Sequence, residues 1–300
     1  MNLWQLKIFC KTVELKSFSK AGEYVHLTQP TISSHIKDLE DHFGCRLINR
    51  MGKEVSPTKA GELLYGYAVR LTALLDEAES AMNEFQGKIK GRLVMGGSTI
   101  PGGYILPDVI GSFTKVYPDV RILLSVADTE EIITRILSGE LEFGIVGAKI
   151  SDKSISQEKL MEEGMHLIVK KDHKWAEKKS VSLKMLTKEP FILREPGSGT
   201  LKTLDERITS AGFSIYNFNI IAEMGSTAAV CQGIKSGVGI SILSPVAVKE
   251  ELLNGSLKSL RIEDVNLKRI FYLSRHKHKS LSPLSNAFIK HLKRELVQHD

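Results

Sequence analysis

Between Thr58 and Ile89 no proline interrupts the chain, and Ala60, Leu64, Tyr67, Leu71, Leu74, Ala78, Ala81 and Phe85 follow one another at spacings of 4, 3, 4, 3, 4, 3 and 4. Alternating threes and fours hold an apolar stripe on one side of a helix, facing one partner along its length. About 30 residues at about 1.5 Å each make a rod of about 45 Å, longer than a small domain needs for its own core. The spacing therefore predicts one long helix paired with a second copy. A long helix packed on its own protein is the alternative. Either way the helix separates some sixty residues before it from about two hundred after it.

The first sixty residues read as short helices followed by a hairpin. Leu3, Leu6, Phe9, Cys10 and Val13 recur at helical spacing. Ser17 and Ser19 punctuate the chain, and Ser19 is expected to cap a short second helix through Val25. Thr28 is expected to cap a third, with Pro30 in its first turn, where a missing N–H costs nothing. Along that helix Ile32, Ile36, Leu39 and Phe43 share one side, while Pro30, Ser34, Lys37 and Asp41 lie opposite, flanked by Thr31, Ser33 and Asp38. Such a small polar face fits a major groove, with Gln29, Ser33, Ser34 or Lys37 in reach of base edges; an ordinary solvated face is the alternative. Gly44 ends the helix, Arg46–Ile48 resembles a strand, Met51–Glu54 a turn, and Val55 the return. Arg50 and Lys53 then sit near the tip of a wing placed to touch DNA backbone or an adjacent minor groove. Nine basic against six acidic residues in positions 1–60 carry half of the chain's net charge of +6 in a fifth of its length.

Phe9, Val13, Ser17-Phe18-Ser19, Ala21, Leu27, Thr28-Gln29-Pro30-Thr31-Ile32-Ser33, Ile36, Leu39-Glu40, Gly44, Leu47, Arg50, Thr58 and Ala60-Gly61 resemble, in order and spacing, the N-terminal signature of LysR-type transcription regulators. The set departs from the family at Gly22, where a second alanine is usual, and at Ile48, where phenylalanine is usual. Glycine at 22 is expected to cost the second helix up to about 1 kcal/mol against alanine. The resemblance implies an α/β protein with an N-terminal all-α winged helix-turn-helix over 1–58, a linker and dimerisation helix over 59–90, and an effector-binding domain over 91–300. That domain would be two-lobed and similar to periplasmic binding proteins, lobe I taking about 91–165 and 267–300 and lobe II about 166–266. The implied function is sequence-specific regulation of transcription from double-stranded DNA carrying an interrupted dyad operator. A homodimer or homotetramer, a small-molecule effector and no cofactor go with it, and RNA polymerase is a further candidate partner.

After Gly87, Lys88, Lys90 and Gly91, which mark a hinge, the period changes to alternating strands and helices. Strands are expected at 92–97, 120–127, 143–146, 166–169, 191–194, 219–223, 240–243, 257–261 and 268–274. Helices are expected at 104–117, 130–138, 201–211, 227–236 and 284–297. Ligands of such folds bind beyond the carboxyl ends of parallel strands, where helix N-termini leave N–H groups open. Ser98, Thr99, Ile100, Thr129, Gly147, Ser198, Gly199, Thr200, Ser226 and Thr227 lie in loops of that kind. Their hydroxyls and amides suit a small anion, a carboxylate or an oxyanion. The competing reading is that each residue only caps its helix. Arg194, Lys149 and Arg207 are candidate counter-charges, with solvated or salt-bridged surface roles as the alternative. Residues 98–107 also resemble the family branch that controls sulphur assimilation and carbon fixation.

Other classes fit less well. At 42% hydrophobic and 25% charged the chain has the composition of a soluble protein, without a secretory leader or an apolar run of about 18 residues. A cytoplasmic protein without membrane partners is expected. Cys10, Cys45 and Cys231 are too scattered for a disulfide frame or a zinc site, and Cys231 reads as a packed thiol before a redox switch. An α/β enzyme or a solute-binding domain fused to a DNA-binding module is the functional alternative. No nucleophile elbow or P-loop is present, and Gly237-Val238-Gly239 lacks the third glycine of a dinucleotide site. His276 and His278 have no cysteine or carboxylate cluster beside them, so no metal is expected.

Overall fold

The computed structural model describes residues 1–49, 55–85 and 89–297. The chain divides into two compact units, the first essentially Met1–Lys88 and the second Ile89–Leu137 with Leu141–Asp300.

In the first unit α1 (Leu3–Leu15), α2 (Phe18–Val25) and α3 (Gln29–Phe43) precede a minimal hairpin of β1 (Ile48–Asn49) and β2 (Ser56–Pro57), followed by α4 (Lys59–Phe85). Ser17, not Ser19, caps α2: its backbone is extended and its hydroxyl accepts from the Lys20 N–H at 3.3 Å. Thr28 stands at the α3 cap position, but its hydroxyl meets that of Thr31 at 2.8 Å instead of a backbone N–H. Ile32, Ile36 and Leu39 are fully buried with Leu6, Ile8, Phe9 and Ala21. Phe43 departs from the expected inward face. It is 42% exposed at the last turn of α3, with its ring edge against His42, because the core ends before it.

At Gly22 a β-carbon would fall 2.5 Å from the Leu27 carbonyl oxygen, in the turn that the Leu27 N–H closes on Gly22 O at 2.8 Å. The missing methyl thus accommodates the tight α2–α3 connection, a benefit that helix propensity alone omits. Along α4 the first turns belong to the domain core, with Ala68 fully buried and Ala60, Leu64, Tyr65 and Val69 packed beside it. From Tyr67 onward the seam faces out: Tyr67, Leu71, Leu74 and Phe85 are exposed, and Leu63 and Met82 widen the stripe.

The second unit is built on two sheets. β3 (Gly91–Ser98), β4 (Val120–Ala127) and β5 (Phe143–Val146) are parallel and alternate with α5 (Leu106–Val116) and α6 (Thr129–Ser138). β6 (Ile155–Gly164) leads into β7 (His166–Lys170), β8 (Ser180–Val181), α7 (Leu183–Leu186), β9 (Pro190–Arg194), α8 (Gly199–Ser210), β10 (Asn219–Met224) and α9 (Thr227–Lys235). β11 (Ser241–Leu243), α10 (Lys249–Leu253), β12 (Leu257–Ile262), β13 (Lys268–His276) and α11 (Pro283–Val297) follow. The five-stranded sheet runs β4-β3-β5-β13-β6, with β13 antiparallel to both neighbours. The second sheet runs β11-β7-β12-β8, and the parallel pair β9-β10 joins it through a bridge between Phe191 and Ile240. The chain passes between the sheets twice, at Met165 and between Ile262 and Lys268. Phe113, Phe143, Phe271 and Phe288 centre the first lobe's core, and Leu167, Leu183, Phe191 and Ile208 that of the second.

The helix expected at 104–117 has a different start. A π-type turn covers Pro101–Ile105, and the Leu106 N–H reaches back to Pro101 O. Pro107, with no N–H, cannot continue an ordinary i to i−4 ladder into that turn. Among the described residues no helix is long and apolar enough to cross a membrane.

Candidate functional site

The outer face of α3 carries the candidate DNA contacts. Gln29, Pro30, Ser34 and Lys37 are exposed, and Thr31 and Ser33 are half-buried. Arg50 and Lys53, expected at the wing tip, lie outside the described residues. What fixes the wing to α3 is Glu40, a residue the pattern of apolar positions does not single out. Its side chain is buried, Oε1 accepts from the N–H groups of Leu47 and Ile48 at 3.0 and 3.3 Å, and Oε2 pairs with Arg46 at 3.1 Å. A buried carboxylate satisfied by two amides and a guanidinium ties the start of the hairpin to the helix. Those ties place Arg46 and Leu47 ahead of the β1 ladder, which begins at Ile48 instead of Arg46. The signal available in sequence was Glu40 standing six residues before Arg46.

In the second unit the candidate effector residues fall into three groups. Thr129, the first residue of α6, is 1% exposed, and among the described residues its Oγ1 has no hydrogen-bond partner. With Ser198 and Gly199 it borders a cavity of about 420 Å³, walled by Ile150, Leu193 and Tyr216 among others. Ser198 also caps α8, accepting from the Leu201 N–H at 3.5 Å, and Ser226 caps α9, accepting from Ala229 at 3.1 Å. For these two serines the capping role is part of the answer.

A second group surrounds Arg194, at the end of β9. Its Nη1 donates to Thr227 Oγ1 at 2.7 Å and reaches Thr99 Oγ1 at 3.5 Å. Nε and Nη2 hold the two oxygens of Glu195, each at 2.6 Å. The third group is Thr200, whose hydroxyl accepts from Arg269 Nη1 at 3.0 Å. Arg269 in turn is paired with Glu163, whose other oxygen accepts from Ser244. Burial pulls the Arg269 guanidinium down from its ordinary value, and the adjacent Glu163 carboxylate pulls it back up.

The remaining candidates are less available to a ligand. Ile100 is buried in the first lobe's core. The Gly147 carbonyl accepts from Thr203 at 3.5 Å, and Ser98 is buried at the end of β3. Arg207 is exposed and donates to the Lys268 carbonyl at 3.2 Å, while Lys149 is exposed. Cys231 is buried on α9, where desolvation and then the Glu251 charge push its thiol up to about 11. Among the described residues no cluster of three metal-ligating side chains occurs.

Residues 3–62 match the model of the bacterial regulatory helix-turn-helix protein, lysR family, and residues 86–297 match that of the LysR substrate binding domain. The chain is 30% identical to the HTH-type transcriptional activator CmpR of Synechocystis over 291 residues, covering 97% of this chain and 94% of that protein. Its fold is similar to that of CbnR, a LysR family regulator, with a TM-score of 0.73 at 19% identity, covering 99% of both chains. It is also similar to the regulatory domain of Synechocystis CcmR in complex with 2-PG, with a TM-score of 0.63 at 27% identity, covering 68% of this chain and 97% of that one.

Proposed function

The chain belongs to the LysR family of bacterial helix-turn-helix regulators, and from that premise we propose how it reads DNA and what it senses. Residues 1–58 form the DNA-binding head, 59–90 the pairing helix and 91–300 the effector domain. Gln29, Thr31, Ser33, Ser34 and Lys37 meet base edges in a major groove, Pro30 lies against its wall, and Arg50 and Lys53 meet the DNA backbone. The exposed stripe of α4 pairs two copies on an interrupted dyad operator, as a homodimer or a homotetramer, in the cytoplasm, with RNA polymerase as a further partner. The effector is a small anion bound between the lobes at Thr99, Thr129, Ser198, Thr200, Ser226 and Thr227, with Ser98, Ile100, Gly147 and Gly199 forming the backing of the site.

The observation that carries the sensing role is the Thr129 hydroxyl, buried without a partner among the described residues, at a helix N-terminus beside a cavity of about 420 Å³. A buried hydroxyl left unpaired is disfavoured, and an anion accepting from it would remove that cost. The ligand of the CcmR domain, 2-PG, is an apt first probe. Binding and DNA affinity are linked, so a ligand that changes operator affinity has its own affinity changed by the operator by the same amount, typically about 1–3 kcal/mol. Calorimetry and footprinting with 2-PG and sulfate, on the parent and Thr129→Val, test this. The variant is expected to lose ligand affinity with its circular dichroism unchanged. A ligand that binds the parent but alters neither operator affinity nor footprint would refute the sensing role.

A further inference from the structure

We propose that Glu195 is a built-in competitor of the effector for Arg194, so that the site around Arg194 admits only ligands able to displace a carboxylate. This rests on the effector reading above and deepens it. Arg194 is 2% exposed, and a guanidinium so deeply buried requires an anion beside it. In this structure the anion is Glu195, held through two parallel hydrogen bonds at 2.6 Å. That fork is the geometry by which arginine captures an external carboxylate or phosphate.

The two partners are not equally fixed. Glu195 leaves a fifth of its side chain in solvent, so it can rotate outward and be hydrated, whereas Arg194 has no such exit. The other buried guanidinium provides the contrast. Arg269 and Glu163 are 1% and 8% exposed, and Glu163 is further tied by Ser244, so neither side of that pair can leave. One arginine pair is a fastening; the other is exchangeable. The exchangeable one is bordered by hydroxyls from both lobes, Thr99 and Thr227. Each of these oxygens accepts from Arg194, which leaves its own proton free to donate to an incoming anion.

The competition selects a ligand class. Replacing Glu195 by another monocarboxylate exchanges one charge and one fork for the same charge and fork. A tetrahedral dianion such as a sulfate or phosphate group brings more charge and more acceptor oxygens, and can accept from Arg194, Thr99 and Thr227 together. The site around Arg194 is therefore selective for dianionic oxyanions over simple carboxylates, and Glu195 enforces that selectivity.

The test uses the full-length protein with sulfate and acetate as probes at constant ionic strength, read by calorimetry and by ligand-dependent thermal shift. The parent is expected to prefer sulfate to acetate by about tenfold or more, the effect of one charge-assisted hydrogen bond. Glu195→Gln should bind sulfate about tenfold more tightly than the parent and gain measurable acetate binding, which narrows the preference. Glu195→Asp keeps the charge on a shorter arm that cannot close the fork, and is expected to fall between them; it serves if the glutamine variant does not fold. Sulfate affinity equal in the parent and both variants, or no sulfate binding by any of them, overturns the proposal. Tighter sulfate binding by Glu195→Gln without any change in operator affinity would uphold the competitor and refute the sensing role. Equal affinities with a shifted operator affinity would do the reverse.

Discussion

Gly199 at the start of α8 lies so close to Thr129 at the start of α6 that a β-carbon on it would fall 2.6 Å from the Thr129 hydroxyl. The Gly147 carbonyl carbon and the Ala148 nitrogen would lie 3.3 and 3.5 Å from the same atom. One methyl therefore has backbone on one side and a buried side chain on the other. Gly199→Ala is expected to destabilise the second unit by about 1–3 kcal/mol, as overpacking does. Urea denaturation followed by circular dichroism checks it, and an unchanged midpoint would show that the lobes have room to shift.

The outer face of α3 has a separate readout. Gln29→Ala and Lys37→Ala are each expected to weaken binding to an operator selected from random duplexes by about 1–3 kcal/mol, with base preference relaxed. Electrophoretic titration of both variants measures this. Unaltered affinity in both would remove α3 as the reading element.

Pairing through α4 is tested at its exposed stripe. Leu71 and Leu74 are 42% and 60% exposed in the single chain. Changing both to Asp leaves an unpaired chain soluble but buries two carboxylates in a paired one, at a cost of several kcal/mol. Sedimentation velocity should show the double variant dissociating at concentrations where the parent is associated. An identical sedimentation coefficient for the two would count against the seam.

Cysteine chemistry follows from burial. Desolvation, then the Glu14 charge, pushes Cys10 up to about 12, and Cys231 stands at about 11, whereas Cys45 is exposed. At pH 8 the two buried groups remain thiols, and only thiolates react readily. Iodoacetamide should label Cys45 in the folded protein and reach Cys10 and Cys231 only on unfolding, as mass spectrometry would report. Labelling of Cys231 as fast as Cys45 would restore a redox role for it.

These residues also show what could be read from sequence and what could not. Ile32, Ile36 and Leu39 are legible because helical spacing is local, and Ser226 is legible as a cap because capping acts within three residues. Thr200 and Thr227 were found as hydroxyls at helix starts, but their engagement by Arg269 and Arg194 is not visible, since those partners lie 69 and 33 residues away. Glu40 stands in the family signature, but its tie to the wing is not legible there, because a carboxylate on a helix ordinarily points to water and only the fold brings the Leu47 and Ile48 amides to it. β6 was missed altogether. Its Glu158, Lys159, Glu162 and Glu163 give it no alternating apolar pattern, and its strand character arises from pairing with β13, about a hundred residues later.

That late pairing also sets an order of events during synthesis. α1 to α4 are complete once residue 85 has emerged, so the head can fold while the ribosome is still building the remainder. The first lobe must wait. Its sheet has a gap between β5 and β6 until residues 268–276 arrive to fill it, and Phe271, central to that lobe's core, arrives with them. A chain that stops before about residue 276 would carry a finished head on a lobe with two open strand edges, and such edges invite aggregation. Arrival of the final strand is thus the step that closes the first lobe's sheet and covers both edges at once.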